Sequence, residues 1–430
     1  MNDSIKTVTT NSSDQLSKRQ RDWPLVLLAV ANGLAIALVL FLIAVQPSPK
    51  PLIDGAPDFM TLPTAGPYLG YSGDALDPEV GQIAIISQWQ RNGNELYRAF
   101  DLAKETMLWS ISVPPVKSAF ATAGYLVIQT ADSLRVVRAQ TGRTVAEVEI
   151  MADEELIAAQ AGIALTVQGG AYICARSLAD AHTCLWQANA IQIDDSAVIF
   201  GDGSWVNTDD GVLDLLTGQP APFGSDVART ADRLVYYLGS THDRVFRYEQ
   251  EMIDSDLTGP HLQVWDIQND RAIGSAMPGS DVVADASGST FVTTRTESAR
   301  LLELTGYSWG SGAQLWQTTL EGASLTGSFC SNALVVTTTS SYANPDNAAI
   351  VNLETGAIAL SVEGRVLTTG DQVAYLGGAY GEGPLTAYSC EKPNAAPLWS
   401  IKMSYLNVWG IAGHLLLSGS SGIYVLHEPA

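Results

Sequence analysis

The chain has 430 residues, with 23 Lys and Arg against 45 Asp and Glu, a formal net charge of −22 and 46% hydrophobic residues. This length suits two or three average domains or one large repeat domain, and the composition is that of a globular protein. So acidic a protein is repelled by nucleic acid, which excludes nucleic acid as a partner and favours cationic or neutral ones. Solubility alone would also explain the acidity.

Residues 25–45 (LVLLAVANGLAIALVLFLIAV) form a run of 21 residues without a charge. At about 1.5 Å per helical residue they span roughly 30 Å, so we predict a transmembrane helix that holds the chain in the lipid bilayer. The alternative, a cleaved signal peptide, has an apolar region of about 7 to 15 residues. Because Lys18, Arg19 and Arg21 precede the run, residues 1–24 are predicted to be a cytoplasmic tail and the rest extracytoplasmic.

Residues 46–67 contain six prolines, which predicts an extended stalk between the membrane and a domain over residues 68–430. The charge divides at the same place. Residues 1–45 hold four basic and three acidic residues, which leaves 19 basic and 42 acidic residues in the remainder. The prediction is a single-pass protein of the cell membrane with an acidic domain outside.

Short predicted strands follow one another through residues 68–430. The clearest unit has strands A (116–122), B (125–130), C (134–139) and D (144–150), with Gly, Asp and Ser at the breaks. Similar units recur roughly every 38 to 50 residues, a period typical of propellers and solenoids. They are marked by Leu108-Trp109, Leu185-Trp186, Leu315-Trp316 and Leu398-Trp399 in D strands, and by Thr141-Gly142, Thr217-Gly218 and Thr355-Gly356 in C–D turns.

The C–D hairpins predict eight D strands, with partial units at both ends of the repeat region. They fall near 106–112, 144–150, 183–188, 220–223, 271–276, 314–319, 357–363 and 397–402. Closing such a row into a ring, through pairing of C-terminal with N-terminal strands, hides the sheet edges. We therefore predict an all-β fold, a β-propeller of about eight four-stranded blades, with the tryptophans packed between blades.

Three segments carry a resemblance to a known repeat family: 96–111 (LYRAFDLAKETMLWSI), 351–362 (VNLETGAIALSV) and 385–401 (LTAYSCEKPNAAPLWSI). They resemble the repeats of quinoprotein-type (PQQ-like) propellers, and the resemblance extends over roughly residues 80–427 and implies eight blades. The alternative, a WD40 propeller, is suggested by Val264-Trp265-Asp266 alone. Enzymes of the resembled family bind their cofactor with adjacent cysteines, which this chain lacks. The resemblance thus implies the non-enzymatic, scaffold-like branch, without a cofactor.

All four cysteines follow the predicted membrane segment. Cys174 and Cys184 flank Leu178-Ala179-Asp180, so a hairpin centred on Ala179 would set them directly opposite each other. In an oxidising compartment we expect a disulfide between them. Cys330 and Cys390 each end a strand in neighbouring units, and whether they are bonded stays open.

Three further motifs lead to no predicted catalytic, cofactor or metal site. Gly306-Tyr307-Ser308-Trp309-Gly310 matches G-x-S-x-G, but no helix follows it, so an aromatic turn is favoured over a nucleophile elbow. The histidines show no metal spacing. An acidic cluster does not follow the order of a calcium loop. Its members are Asp194, Asp195, Asp202, Asp209, Asp210 and Asp214.

Long B–C connections are predicted at 201–210, 239–260, 339–347 and 377–383. In a four-stranded meander these connections share one face of the ring, and they contain aromatic and arginine residues, which are enriched at interfaces. The candidate partner face comprises Trp205, Arg244, Phe246, Arg247, Tyr248, Tyr342 and Tyr380. We expect a protein- or ligand-binding scaffold of the bacterial cell envelope with a protein partner. The alternatives are a quinoprotein-like enzyme that uses the central channel and an envelope ligand sensor.

Overall fold

The computed structural model describes the chain at residues 50–51, 60–61 and 72–427, with gaps. The gaps are at 91, 191–198, 201–203, 224–232, 242–243, 254–255, 258–260, 267–268, 270, 274–276, 279–281, 285–289, 299–300, 323, 340–345, 371, 379–382, 394–395, 403–404, 406, 412–413 and 420–421. All regular elements in the described ranges are β-strands, and none of those residues form a helix capable of crossing a membrane. The predicted transmembrane segment, 25–45, lies outside the described residues.

The described strands build nine antiparallel sheets, numbered here in chain order, and the main strands of each sheet are lettered from A, up to D where four are present. Two short N-terminal strands, β1 (Lys50–Pro51) and β2 (Met60–Thr61), precede them. Sheet 1 contains β3 (Ser72–Leu76), β4 (Ile83–Trp89), β5 (Glu95–Asp101) and β6 (Thr106–Val113). Sheet 2 contains β7 (Ser118–Thr122), β8 (Tyr125–Gln129), β9 (Ser133–Arg138) and β10 (Thr144–Glu149). Sheet 3 contains β11 (Glu154–Gln160), β12 (Ile163–Gln168), β13 (Tyr172–Ser177) and β14 (Cys184–Asn189).

Sheets 4 to 6 are less regular in their strand lengths. Sheet 4 contains β15 (Ile199–Phe200), β16 (Trp205–Thr208) and β17 (Gly211–Asp214). Sheet 5 contains β18 (Arg233–Thr241), β19 (Arg244–Ile253), β20 (Asp256–Leu257), β21 (His261–Asp266), β22 (Arg271–Ala272) and β23 (Met277–Pro278). Sheet 6 contains β24 (Val282–Ala284), β25 (Thr290–Ser298), β26 (Leu301–Ser308) and β27 (Gln314–Glu321).

Sheets 7 to 9 complete the series, and the last two include the N-terminal strands. Sheet 7 contains β28 (Ser324–Cys330), β29 (Ala333–Thr339), β30 (Asn347–Asn352) and β31 (Ile358–Glu363). Sheet 8 contains β32 (Arg365–Thr369), β33 (Val373–Gly377), β34 (Pro384–Ser389) and β35 (Trp399–Lys402), with β1 paired to β35. Sheet 9 contains β36 (Asn407–Ile411), β37 (His414–Gly419) and β38 (Gly422–His427), with β2 paired to β38.

The first and last sheets pack together and close the ring. Ile411, Leu416 and Val425 of sheet 9 form one buried cluster with Ile86 and Phe100 of sheet 1. A strands of neighbouring sheets contact one another, for example β7 with β11 and β32 with β36, and β36 also contacts β3. Successive four-stranded sheets with A strands at the centre and closure of last onto first define a β-propeller.

The described residues contain nine sheets where the sequence predicts about eight blades. C-terminal strands pair with N-terminal strands as predicted, since β35 pairs with β1 and β38 with β2, but the two partial units form separate sheets. The N-terminal unit gains β3 and becomes sheet 1, and the C-terminal unit takes β2 as its fourth strand and becomes sheet 9. Both β1 and β2 lie within residues 46–67, the predicted stalk.

Burial along the strands explains why these segments fold as they do. The B strands β8, β12, β29 and β33 are mainly buried, because each is sandwiched between neighbouring sheets, and their sequences read as apolar runs. Strand β10, at the outer D position, alternates between exposed and buried residues. Clusters between consecutive sheets form the core in place of a single centre.

A tryptophan in the D strand of one sheet is hydrogen-bonded to the C–D turn of the next sheet. The indole Nε1 atoms of Trp109, Trp186 and Trp316 donate to the carbonyl oxygens of Ala139, Leu215 and Leu353, at 2.6, 2.9 and 2.6 Å respectively. The indole thereby buries an aromatic ring and satisfies its own N–H at the boundary between two sheets. We call this contact the Trp lock.

Each Trp lock presses its ring against a glycine of the recurring Thr-Gly pair. Gly142, Gly218 and Gly356 have φ of +67°, +66° and +69°. A Cβ at Gly142 would lie 2.6 Å from Cγ of Trp109, and one at Gly356 would lie 2.6 Å from Cε3 of Trp316. These positions therefore require glycine for two reasons: the backbone is left-handed, and the tryptophan ring leaves no space for a Cβ atom.

The residues around each D-strand tryptophan follow from its inward orientation. A small residue faces the tryptophan on the C strand: Ala99 for Trp109, Ala175 for Trp186, Gly306 for Trp316 and Ala387 for Trp399. In sheets 1, 3 and 6 the register shifts beside the pair, and the preceding leucine is exposed (Leu108 38%, Leu185 51%, Leu315 50%). Such bulges on outer strands discourage pairing with another chain.

Two disulfides join the four cysteines. The bond Cys174–Cys184 confirms the predicted pairing, with Cα atoms 5.6 Å apart. The predicted reason for it was wrong. Cys184 lies opposite Arg176, and Cys174 lies opposite Gln187, because the hairpin is centred beyond Ala179 and a bulge between Ala175 and Arg176 shifts its register by one more residue. The bond Cys330–Cys390, with Cα atoms 5.9 Å apart, joins sheet 7 to sheet 8 and is buried.

Tyr405 lies in the core between sheets 8 and 9. Its hydroxyl lies against Gly377, where a Cβ would overlap it. Burial raises the pKa of Tyr405 to about 12, an effect that the charge of Arg365 partly opposes. The phenol therefore stays neutral in this core at physiological pH.

Replacing Gly356 by Ala tests the Trp lock, with Gly170→Ala as the matched control. Both glycines have a positive φ (+69° and +65°), but no atom lies within 4 Å of a Cβ built at Gly170. We expect a loss of about 1–2 kcal/mol for Gly170→Ala from the backbone, and about 1–3 kcal/mol more for Gly356→Ala from overpacking against Trp316. Urea unfolding of both variants measures the difference, and equal losses would contradict the lock.

The two disulfides should differ in their contributions to stability. Cys330–Cys390 closes a loop of 60 residues and Cys174–Cys184 one of 10. The chain-entropy relation then gives about 4 kcal/mol for the longer loop and about 3 kcal/mol for the shorter. Double Cys→Ala variants of each pair, unfolded in urea, should rank in that order. The account would be wrong if the hairpin pair cost more.

Candidate functional site

The propeller has two ends with different connections. Because the strands of each sheet alternate in direction, A–B and C–D turns emerge at one end, and B–C turns and D–A connections emerge at the other. We call these the C–D end and the B–C end. The sequence places the partner face at the B–C end.

The C–D end is occupied largely by contacts that hold the fold together. All three Trp locks lie there, and Asp214 and Asn352 cap their own turns by accepting hydrogen bonds from Thr217 and Thr355. The disulfide Cys330–Cys390 lies at the same end, beside an open groove of about 540 Å³ lined by Asn332, Glu354, Thr355 and Glu391 among others.

Trp205 is not at the B–C end, contrary to the prediction. Residues 205–208 form strand β16, and the B–C turn of sheet 4 is only Asp209 and Asp210. Trp205 begins β16 at its C–D end, is half-buried and packs edge-to-face on Phe223, 5.1 Å between ring centroids. The aromatic ring therefore contributes to the core between sheets 4 and 5.

Arg244, Phe246, Arg247 and Tyr248 also do not lie in a B–C loop. The predicted loop 239–260 contains strand β19 (Arg244–Ile253), which pairs with β18 and β21. Arg244 starts this strand next to the A–B turn, at the opposite end of the ring. The prediction was wrong because an additional A strand, β18, takes the place assigned to strand B.

Tyr342 and Tyr380 lie outside the described residues, in the connections between β29 and β30 and between β33 and β34. Both are B–C connections, as predicted. The described residues of sheets 7 and 8 form an open groove of about 430 Å³ at the B–C end. Its lining includes Asp346, Glu363, Gly377, Pro384 and Tyr388.

Exposed apolar side chains at the B–C end of the first three sheets form a surface that the sequence prediction missed. Trp89 ends β4 and is 51% exposed, Met151 lies in the connection from sheet 2 to sheet 3 and is 57% exposed, and Tyr172 begins β13 and is 48% exposed. Sequence reasoning favoured aromatics in long loops, whereas these residues flank short ones. The one available signal was Trp89, an aromatic residue at the end of a buried strand, directly before the polar segment Gln90-Arg91-Asn92-Gly93-Asn94.

Hydrogen bonds link the backbones beneath this surface. The side chain of Gln129 in sheet 2 donates to the carbonyl of Glu154 at 2.6 Å and accepts from the N–H of Leu156 at 2.7 Å, both in sheet 3. The Glu154 carboxylate, 4% exposed, accepts from Arg176 at 2.9 Å and from Thr166 at 2.6 Å. Arg176 also donates to the carbonyls of Ala181 and His182, so the buried pair links the start of strand A to the C–D turn within sheet 3.

Sheet 3 is linked to sheet 4 at the B–C end. Asp210 accepts from the backbone N–H and the side-chain amide of Asn189, both at 2.9 Å. Asp214, of the same acidic cluster, caps a turn at the C–D end. The two carboxylates are thus assigned to different structural roles at opposite ends of the sheet, and Asp194, Asp195 and Asp202 lie outside the described residues.

Ser308 of the G-x-S-x-G match also has a turn-capping role. It ends β26, and its hydroxyl accepts from the N–H of Ser311 at 3.4 Å. The position corresponds to Asp214 and Asn352 in their units. Within the described ranges, no group of three or more His, Cys, Asp or Glu side chains is placed to hold a metal ion.

No family model and no curated protein sequence matches the chain. Among solved structures it is similar to BamB from Moraxella catarrhalis, with 14% identity, a TM-score of 0.41, and 82% of this chain and 95% of that one covered. It is also similar to the Dos1 propeller, with 11% identity, a TM-score of 0.44 and coverages of 82% and 92%. It is also similar to Sqt1 of Saccharomyces cerevisiae, with 9% identity, a TM-score of 0.41, and 89% of this chain and 100% of that one covered. The chain is a β-propeller on the evidence of its own sheets and their packing.

Proposed function

We propose that this protein is a membrane-anchored β-propeller that binds a protein partner at its B–C end. The observation that carries the proposal is the exposure of Trp89, Met151 and Tyr172 at that end. Large aromatic and Met side chains are enriched in the cores of protein interfaces, and loops on a rigid scaffold are where binding resides.

The side chains at the two ends of the ring differ, and this difference supports a partner-binding surface at the B–C end. At the C–D end the tryptophans are turned inward and the turns are capped by their own side chains, and the exposed leucines there, such as Leu185, Leu216 and Leu315, each belong to a different sheet. At the B–C end the sheets are tied together below the surface by Gln129 and Asp210, while apolar side chains stay exposed above. A prearranged surface loses little conformational freedom when a partner binds.

The anchoring part of the proposal comes from the sequence. Residues 25–45 would span the membrane, residues 1–24 would face the cytoplasm, and the acidic propeller would lie in the extracytoplasmic part of a bacterial cell envelope. Two disulfides suit an oxidising compartment of this kind. The repeat resembles PQQ-like propellers, and the proposed role is that of a non-enzymatic scaffold, with Tyr342 and Tyr380 also placed at the partner face.

Site-specific photocrosslinking in intact cells tests the partner face. A photoreactive residue at Asn92, Asp132 or Glu363, all exposed near the B–C end, should give a protein adduct with the full chain. Matched positions at the C–D end are Lys104, Leu216 and Glu354, also exposed. We expect adduct yields at least about tenfold higher at the B–C end than at the C–D end, because only residues within an interface lie close to the partner. Equal yields at both ends, or adducts at the C–D end alone, would contradict the proposal.

A further inference from the structure

The exposed residues of sheet 3 adjoin one another at the B–C end. Tyr172 faces Gln168 directly across β12 and β13, and the Gln168 side-chain amide lies 2.8 Å from the sulfur of Met151. A continuous strip therefore runs from Met151 across Gln168 to Tyr172. Methionine is a flexible apolar side chain that adapts to the shape of a contacting surface.

Sheet 1 adds a third apolar side chain at the same end of the ring. Trp89 precedes a tight turn in which the Gln90 N–H donates to the Asn94 carbonyl at 2.8 Å. The side chain of Gln90 accepts from Ser112 at 2.8 Å, which fixes the turn on strand β6. The ring of Trp89 is left about half exposed on a fixed backbone.

The exposed leucines of the D strands differ from these residues in arrangement. Leu185, Leu315 and Leu398 are exposed to a similar degree, 51%, 50% and 42%, but each lies in or next to the D strand of a different sheet. Scattered single apolar residues are normal on protein surfaces, whereas Met151 and Tyr172 are linked through Gln168 into one group, and a contiguous group indicates an interaction site. They serve as matched controls for exposure.

The rim of the surface is acidic among the described residues. Asp132, Glu149, Asp153 and Glu155 are exposed at this end of sheets 2 and 3. Two described cations lie in the same region: Lys117, whose ammonium is 3.5 Å from the carbonyl of Ala152, and Arg135, which is paired with Glu147 at 2.7 Å. A partner that covers the apolar centre would therefore place its own rim against negative charge, which favours Lys or Arg at that position.

We infer that the surface formed by Trp89, Met151 and Tyr172 binds a protein segment with apolar side chains flanked by Lys or Arg. The inference rests on the proposed function and adds the location of the contact and the chemistry of the partner. Apolar side chains of the segment cover the three exposed residues, and its cations face Asp132, Glu149, Asp153 and Glu155.

Three labelled peptides can test this chemistry with the full chain in lipid nanodiscs. One alternates Lys and Leu, the second replaces Lys by Glu, and the third replaces Leu by Ser. Each carries a photoreactive group, so that mass spectrometry maps its contact on the chain and separates it from contact with lipid. We expect the Lys–Leu peptide to crosslink near residues 89, 151 and 172 and to bind at least about tenfold more tightly than the other two, since each good contact contributes about 1 kcal/mol or more.

A variant with Trp89→Ala, Met151→Ala and Tyr172→Ala should bind the Lys–Leu peptide at least about tenfold more weakly. The control with Leu185→Ala, Leu315→Ala and Leu398→Ala should bind like the wild type, and thermal unfolding verifies that both variants are folded. Unchanged binding in the first variant, equal binding of the Glu–Leu peptide, or no binding at all would overturn the inference. If the peptide experiment fails but cellular crosslinks still form at Glu363, the proposed function stands and only the inference is overturned. If the crosslinks at Glu363 are also absent, both the inference and the proposed function fail.

Discussion

The Trp lock is the contact on which the propeller most depends. A D-strand indole enters the next sheet, donates to a turn carbonyl and lies on a glycine with positive φ. This one arrangement explains the small residue opposite the tryptophan, the bulge that exposes the preceding leucine, and the Thr-Gly turn of the following sheet. The contact joins one sheet to the next at three described boundaries, between sheets 1 and 2, sheets 3 and 4, and sheets 6 and 7.

The lock also separates the two ends of the molecule by role. Indoles, capped turns and the disulfide Cys330–Cys390 occupy the C–D end, where a change disturbs packing between sheets. At the B–C end, the deeper layer is tied by Gln129 and Asp210, while the outer layer carries exposed apolar residues. A surface that the fold does not need for its own stability is free to meet a partner.

Local patterns predicted much of the fold because the lock has a sequence signature. Leu-Trp and Thr-Gly pairs mark D strands and C–D turns, and the strands of sheets 2 and 7 lie close to their predicted positions. The ninth sheet was missed because it is completed by a pair of residues 60–61 from far away in the chain, a contact without a local pattern. The partner face was mislocated for a related reason. Strand β19 was predicted to be a loop. The exposure of Trp89, Met151 and Tyr172 depends on where the strands of several sheets end, which the sequence around each residue does not show.

A double-mutant cycle between Trp109 and Gly142 tests the Trp lock most directly. In the wild type, a Cβ at Gly142 would lie 2.6 Å from Cγ of Trp109, whereas Trp109→Ala removes the ring. The account predicts that Gly142→Ala costs about 1–3 kcal/mol less free energy of unfolding when Trp109 is already Ala, because only the backbone penalty then remains. The same cost in both backgrounds would show that the indole does not press on the turn, and would contradict the account.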